Sequence, residues 1–333
     1  MRVMLNVSAR ALRDSPCHAP GDGGKRCLRR RICPHKTCAG RDNGGFIIVA
    51  VLWMLGALAT LASIYAVYVI NTAISLSVND DRLKAEALMR SALELTAYRI
   101  SSADAEVGPS SGEFIFTLGK AKVTVAFRSE AARIDLNMAS KQFLAGLFLS
   151  LGVSNENAAF YTDRVIAWRT PPDPDQPDTE TPAYSSARLG YGPRRAPFTN
   201  VYELSLVLGL PPTLVERALP LVTVFSGRPG INIMDAAPEV LAALPGMTPE
   251  RLSAVLSERG RGPQAILYLL SFFATGVDQM NTTAEASKAM RVRVWIDLES
   301  KRRVHGEAVI LMIDDAEELY RILSWRDDLD GPS

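Results

Sequence analysis

The stretch "RDNGGFIIVAVLWMLG", residues 41–56, sets a charged residue, two glycines and an unbroken apolar run side by side. Read as an anchor, it lies oddly deep in the chain. Read as a cut site, it makes everything before it dispensable. From Phe46 to Ile70 there are 25 residues without a charge, and the next charged residue is Asp80. At about 20 residues per crossing this run is long enough to span a bilayer. A secretory signal has a shorter apolar core and is cut after it. Here the apolar run is long and the candidate cut, between Gly45 and Phe46, precedes it.

Charge divides at the same place. Residues 1–45 hold ten Lys/Arg against three Asp, net +7, so the remaining 288 residues are net −6. Basic residues before the apolar run and none directly after it predict a cytoplasmic N-terminus, with the bulk of the chain on the other side. Cys17, Cys27, Cys33 and Cys38 also precede Gly45, as do His18 and His35; after it stand no Cys and one His, His305. The spacings Cys27-x5-Cys33-x4-Cys38 fit no common zinc ligand pair, which favours a basic, unstructured leader over a zinc knuckle.

Beyond the apolar run, "DRLKAEALMRSALELTAYRI" is rich in helix formers. Its polar-apolar pattern at Leu83, Ala87, Arg90, Leu93, Leu95, Tyr98 and Ile100 predicts that one helix of about 50 residues continues towards Gly108, Pro109 and Gly112. Alternation of period two follows at Phe114, Phe116, Leu118 and Val123, Val125, Phe127. It returns in "MRVRVWIDLE" (290–299), "VHGEAVILMI" (304–313) and "YRILSW" (320–325). A lone hairpin is marginal in water, so these blocks predict one sheet interrupted by an insertion. In the insertion, Ser140 and Ser154 are candidate helix N-caps.

The predicted architecture is therefore α+β, with a long N-terminal transmembrane helix and an antiparallel sheet head interrupted by a large all-helical insertion. The predicted segments are 1–45 (leader), 46–70 (membrane helix), 71–107 (its continuation), 108–136 (first part of the sheet head), 137–287 (insertion), 288–327 (second part of the sheet head) and 328–333 (tail).

Two motifs in the insertion suggest ligands. "NIMDAAPEVLAALPGMTPERLSAVL" resembles a helix-hairpin-helix unit, whose glycine turn brings backbone amides to a phosphate. A membrane-anchored DNA receptor is thus the competing reading. Against it, the insertion carries eleven Lys/Arg and fourteen Asp/Glu, whereas DNA affinity draws on basic residues. The loop "DPDQPDTE" gathers Asp173, Asp175, Asp178 and Glu180, a candidate Ca²⁺ site, although such loops are more often simply solvated. No cofactor is expected beyond this candidate Ca²⁺. After Gly45 there is no Cys nucleophile, no His-Glu-x-x-His, no Gly-x-Ser-x-Gly and no phosphate loop, so nothing points to catalysis.

Basic leader, Gly then Phe at the cut, apolar helix and αβ head together resemble a type IV pilin-like chain. "GGFIIVAVLW", "ARIDLNMAS", "VIAWR", "YGPRRAPFTNVYELSLVLGL", "LVTVFSG" and "INIMDAAPEVLAALPGM" resemble the general secretion pathway protein K family, the large minor pseudopilin of type II secretion systems. The resemblance implies a pilin-like sheet head. It also implies cleavage between Gly45 and Phe46 by a prepilin peptidase, N-methylation of Phe46, and a single-pass inner-membrane protein whose bulk is periplasmic. The implied function is at the pseudopilus tip, which the chain initiates or caps to support export of folded proteins across the outer membrane. The implied partners are other minor pseudopilins, the major pseudopilin, the inner-membrane assembly platform, membrane lipid and secreted substrates, with no nucleic acid.

Most pilin-like chains carry a Glu at the fifth position after the cut, thought to pair with a neighbour's N-terminal ammonium. Here that position is Ala50. A chain without this Glu need not dock beneath another subunit, which suits it to stand first; taken alone, Ala50 also reads as a small helix-packing residue. Relatives often carry an Asp before the Trp of "AWR" and another two residues after it, where this chain has Ala167 and Thr170. A calcium site built on those residues would be shifted to the acidic loop or lost.

Overall fold

The computed structural model describes residues 44–102, 109–175, 177–262, 264, 282–283, 286–313 and 318–327. Residues 1–43, which include the four cysteines, and the tail 328–333 lie outside the described residues. The chain divides into two compact units, residues 1–67 and 68–333.

In the first unit the described residues are helical, belonging to α1 (Gly44–Ser101, 58 residues). Every residue from Phe46 to Ile70 is exposed, including Phe46, Leu52, Trp53 and Leu61. At 1.5 Å per residue the 25 uncharged residues extend about 37 Å, more than the ~30 Å hydrocarbon core of a bilayer. By length and composition the helix could cross a membrane.

In the second unit, residues 85–97 of α1 bury one stripe: Ala85, Leu88, Met89, Ala92, Leu93, Thr96 and Ala97. The spacing is helical, but the stripe lies beside the one the sequence suggests. Leu83 and Tyr98 are exposed, and Leu95 and Ile100 only border the core. In the buried stripe alanines alternate with the larger Leu88, Met89 and Leu93, all of them buried against the sheet. α1 ends at Ser101, short of the expected residue 107, and residues 103–108 lie outside the described residues.

The sheet begins with the hairpin β1 (Ser111–Leu118) and β2 (Ala121–Ser129). Ile134–Asp135 forms the short strand β3, and the helices α2 (Lys141–Ser150), α3 (Asn155–Arg169), α4 (Glu180–Ser186) and α5 (Pro212–Ala218) follow. Then come β4 (Val222–Thr223), β5 (Ile231–Asn232), α6 (Pro238–Ala242), α7 (Pro249–Glu258) and β6 (Thr282–Thr283). The chain returns to the sheet as β7 (Ala289–Asp297), β8 (Arg303–Met312) and β9 (Tyr320–Asp327). The five long strands form one antiparallel sheet in the order β1-β2-β7-β8-β9, so the two blocks of alternation are one sheet.

Alternation sorts its two faces. Val123, Val125 and Phe127 of β2, with Val292, Val294 and Ile296 of β7, meet α1 in one apolar core. The intervening Arg128, Arg291 and Arg293 take the opposite face.

The insertion has its own core, from Phe143, Leu144, Leu147 and Phe148 of α2 to Val165 and Trp168 of α3, Tyr184 of α4 and Leu241 of α6. Ser140 and Ser154 are N-caps, accepting from the amides of Phe143 (3.2 Å) and Asn157 (3.4 Å). The expected all-helical character needs correction. β3 pairs with β4 and β5 with β6, both parallel. Each ladder is two residues long, too short to show as alternation, and Ile134 and Leu136 already belong to the insertion's core, ahead of the expected boundary at 137.

Gly146 is where α2 meets the α6 region. A Cβ there would come 2.0 Å from the Ala243 carbonyl oxygen, which is backbone and cannot step aside. Gly146→Ala should therefore cost about 3 kcal/mol by forcing the two elements apart. Urea unfolding of the detergent-solubilised chain measures this, and an unchanged midpoint would contradict the close approach.

Candidate functional site

Where the chain leaves the sheet and where it returns are tied together. Ser129 Oγ, at the end of β2, accepts from the amides of Ala131 (3.2 Å) and Ser287 (2.8 Å), while Ser287 Oγ donates to the Ser226 carbonyl (2.9 Å). Beside this knot Glu130 is wholly buried. Its Oε1 accepts from Arg291 Nε at 2.6 Å, and its Oε2 from Arg291 Nη2 at 3.0 Å and from the Thr223 hydroxyl. Arg291 also ion-pairs with Glu307, which accepts from Arg293 Nε (3.0 Å) and Arg326 Nη2 (2.7 Å). Arg326 donates in addition to the Tyr202 hydroxyl, with its guanidinium carbon 5.6 Å from the ring centroid. One network thus joins β7, β8 and β9 to Glu130, Thr223 and Tyr202.

The electrostatics follow from that arrangement. Burial alone would push the Glu307 carboxyl up, yet the guanidiniums of Arg291, Arg326 and Arg293 hold it at about 2. For Arg291, burial opposes the charge and the carboxylates of Glu130 and Glu307 outweigh it, raising its pKa. Arg133 differs, because burial and then the neighbouring Arg291 lower it to about 10.

The residues of the quoted motifs interlock within the insertion. Asn137 and Phe198 exchange two hydrogen bonds, Nδ2 to the Phe198 carbonyl (2.9 Å) and the Phe198 amide to Oδ1 (2.7 Å). Arg169 donates to the carbonyls of Leu136 and Ala139, and Asp135 Oδ2 accepts from the Gly227 amide at 2.8 Å. Trp168 Nε1 donates to Glu203 at 3.2 Å, and Glu203 also accepts from the Thr199 amide and from Arg194. "ARIDLNMAS", "VIAWR", "YGPRRAPFTNVYEL" and "LVTVFSG" are therefore partners in one hydrogen-bonded core.

The acidic loop does not converge on a cation. Asp178 starts α4, accepting from the amides of Glu180 (3.0 Å) and Thr181 (3.3 Å) and from the Thr181 hydroxyl (2.6 Å), and it ion-pairs with Arg195. The Thr181 hydroxyl is the main influence holding its pKa low. Glu180 pairs with Arg164 at 2.8 Å, and Asp173 accepts from the Asp175 amide at 3.0 Å. Among the described residues no group of three or more His, Cys, Asp or Glu gathers as a metal site. Two of the loop's four carboxylates, Asp178 and Glu180, have Arg195 and Arg164 as partners.

The hairpin of α6 and α7 is likewise engaged internally. Gly246 turns the chain at φ 75°, and its carbonyl accepts from Arg251 Nη1 at 3.0 Å. Arg259 donates to the carbonyls of Ile233 (2.7 Å) and Ala236 (2.6 Å). These two guanidiniums hold backbone of the insertion. At the other end of the chain, Gly45 and Phe46 lie in the first turns of α1, where the side chains of Phe46 and Ala50 are exposed.

The sequence reading missed the Glu130–Arg291–Glu307 network. Its signal was the pair Arg291 and Arg293 at alternate positions of an otherwise apolar strand, which puts two charges on one face.

Residues 126–227 match the family described as type II secretion system (T2SS), protein K. The match starts in β2 and ends just after the Thr223 that donates to Glu130, so the matched segment contains Glu130, Tyr202 and Thr223 of the network. The fold is similar to that of a chain in the crystal structure of the GspK-GspI-GspJ complex from the type 2 secretion system of enterotoxigenic Escherichia coli. The TM-score is 0.54 and the identity 16%, with 79% of this chain and 100% of that chain covered. At that identity the likeness speaks for the fold. No curated protein matches the chain.

Glu307 sets a pH prediction. Its folded pKa of about 2 lies below the ordinary 4.5, so its stabilisation is complete above pH ~4.5 and is lost as pH falls towards 2. The integrated effect is on the order of 3 kcal/mol. Glu307→Gln should flatten this acid limb in urea unfolding at pH 2–6; an unaltered slope would contradict the assignment.

Proposed function

We propose that the chain is a minor pseudopilin of a type II secretion system, acting at the pseudopilus tip to initiate or cap the filament and support export of folded proteins. The observation that carries this reading is the match of residues 126–227 to the protein K family behind an N-terminal helix long and apolar enough to cross a membrane. The chain works by assembly and catalyses no reaction. Its leader is removed between Gly45 and Phe46 by a prepilin peptidase, and Phe46 is then N-methylated. Residues 46–70 cross the inner membrane once, with the N-terminus cytoplasmic and the bulk periplasmic.

The partners are two other minor pseudopilins, in keeping with the three-protein complex in which the similar fold was solved. The major pseudopilin, the assembly platform and the exported proteins complete the set. Ala50 supports the tip position on physical grounds. A carboxylate within the bilayer costs on the order of 3 kcal/mol unless it is paired. A chain without that carboxylate needs no neighbour above it.

A tagged chain extracted in detergent should therefore bring down two further chains with Gly-Phe-type cut sites and apolar N-terminal helices. Cells lacking the chain should retain their exported proteins in the periplasm. Recovery of the chain alone, together with normal export in its absence, would overturn the proposal.

A further inference from the structure

Between the outer face of the sheet and the insertion lies a cleft of about 540 Å³. Its roof is apolar, built from Pro220, Leu221, Ala237 and Val240 of the insertion. Its floor is the face of β2 and β7 that turns away from α1, carrying Arg128, Arg291, Arg293 and Trp295, with Arg133 beside them. Ser111 Oγ, donating to Asp235 Oδ1 at 2.7 Å, ties β1 to the insertion at the cleft wall.

The charges in and around the cleft do not balance. Arg291 and Arg293 are met by Glu130 and Glu307, and Arg326 shares Glu307 with them. The guanidiniums of Arg128 and Arg133 make no hydrogen bond or ion pair among the described residues. Arg259, close enough to Arg128 to influence it, bonds backbone carbonyls. Against these six guanidiniums stand four carboxylates, those of Glu113, Glu130, Asp235 and Glu307. Burial first, and then the neighbouring Arg291, lower the Arg133 pKa, with Glu130 and Glu307 only partly offsetting them.

We infer that this cleft binds a carboxylate-bearing, apolar-flanked segment of an exported protein, with Arg133 and Arg128 taking the carboxylate and Trp295 and the roof taking the apolar neighbours. A guanidinium presents paired donors that match a carboxylate in two parallel hydrogen bonds. Trp295, 37% exposed, offers an aromatic surface to a neighbouring side chain. The choice of exported protein over filament subunit rests on position and on the proposed function. The face of the sheet that meets α1 is filled by apolar core, whereas the cleft opens on the opposite face.

The test uses the full mature chain in detergent and a labelled peptide of alternating Glu and Leu, with the Gln-Leu peptide as control. The Glu peptide should bind at least tenfold more tightly. Arg133→Gln and, separately, Arg128→Gln should each weaken it about tenfold, and Arg133→Lys should restore part of the loss. Arg128 is an exposed strand residue, so its replacement keeps the test valid even if Arg133→Gln disturbs folding. Equal binding of the two peptides, or unchanged affinity in both Gln variants, would overturn the inference. In cells, the double Gln variant should be cut at Gly45 and recovered with its two pilin-like partners as before, while export falls at least fivefold. Loss of the partners with peptide binding also lost would make the occupant a subunit and overturn the choice of exported protein. Failure of cleavage and partner recovery in the unaltered chain would instead overturn the proposed function.

Discussion

Glu130 stands wholly buried at the point where the chain leaves the sheet, and its charge must be answered there. Removing one partner of a buried ion pair costs about 3–5 kcal/mol, so Arg291 has to arrive, and it arrives from 161 residues further along the chain. Arg291 reaches Glu130 because β2 and β7 pair with Arg128 opposite Arg291. A slip of one residue would turn Arg291 into the apolar core against α1 and bring Val292 to the outer face. The same pair therefore sets the strand register and holds the insertion, since the Thr223 hydroxyl donates to the same Glu130 carboxylate. A long excursion between two halves of a sheet invites misregister. A buried charge with one acceptable partner penalises the alternatives.

The strands were legible because each buries one face only, so their apolar residues alternate. The helix caps were legible because Ser140 and Ser154 stand before apolar helical runs. The buried stripe of α1 was less so. Bulky Leu83 and Tyr98 catch the eye, but the face that meets the sheet is that of Ala85, Leu88, Met89, Ala92 and Leu93. The two-residue ladders of the insertion leave no periodic trace. The roles of Asn137, Arg169 and Glu203 depend on tertiary hydrogen bonds that spacing along the chain does not encode. Most instructive are the acidic loop and the glycine hairpin, both of which read locally as ligand sites. The arginines that engage them, Arg164 and Arg195 in one case and Arg251 and Arg259 in the other, belong to the fold's own hydrogen bonding.

The two halves of α1 answer to different solvents. Residues 46–70 expose apolar side chains along their whole length, while the stripe from Ala85 to Ala97 is covered by the sheet. The first part is long and apolar enough to cross a bilayer, which fits membrane anchoring, and 45 basic-rich residues precede it. The match to the protein K family model, the bilayer-length helix and Ala50 support the proposed account, that of a processed subunit standing first in a secretion filament.

N-terminal mass spectrometry of the chain extracted from membranes tests that account most directly. The account predicts a mature protein beginning at N-methylated Phe46. A chain still beginning at Met1, or one cut after the apolar run, would contradict it.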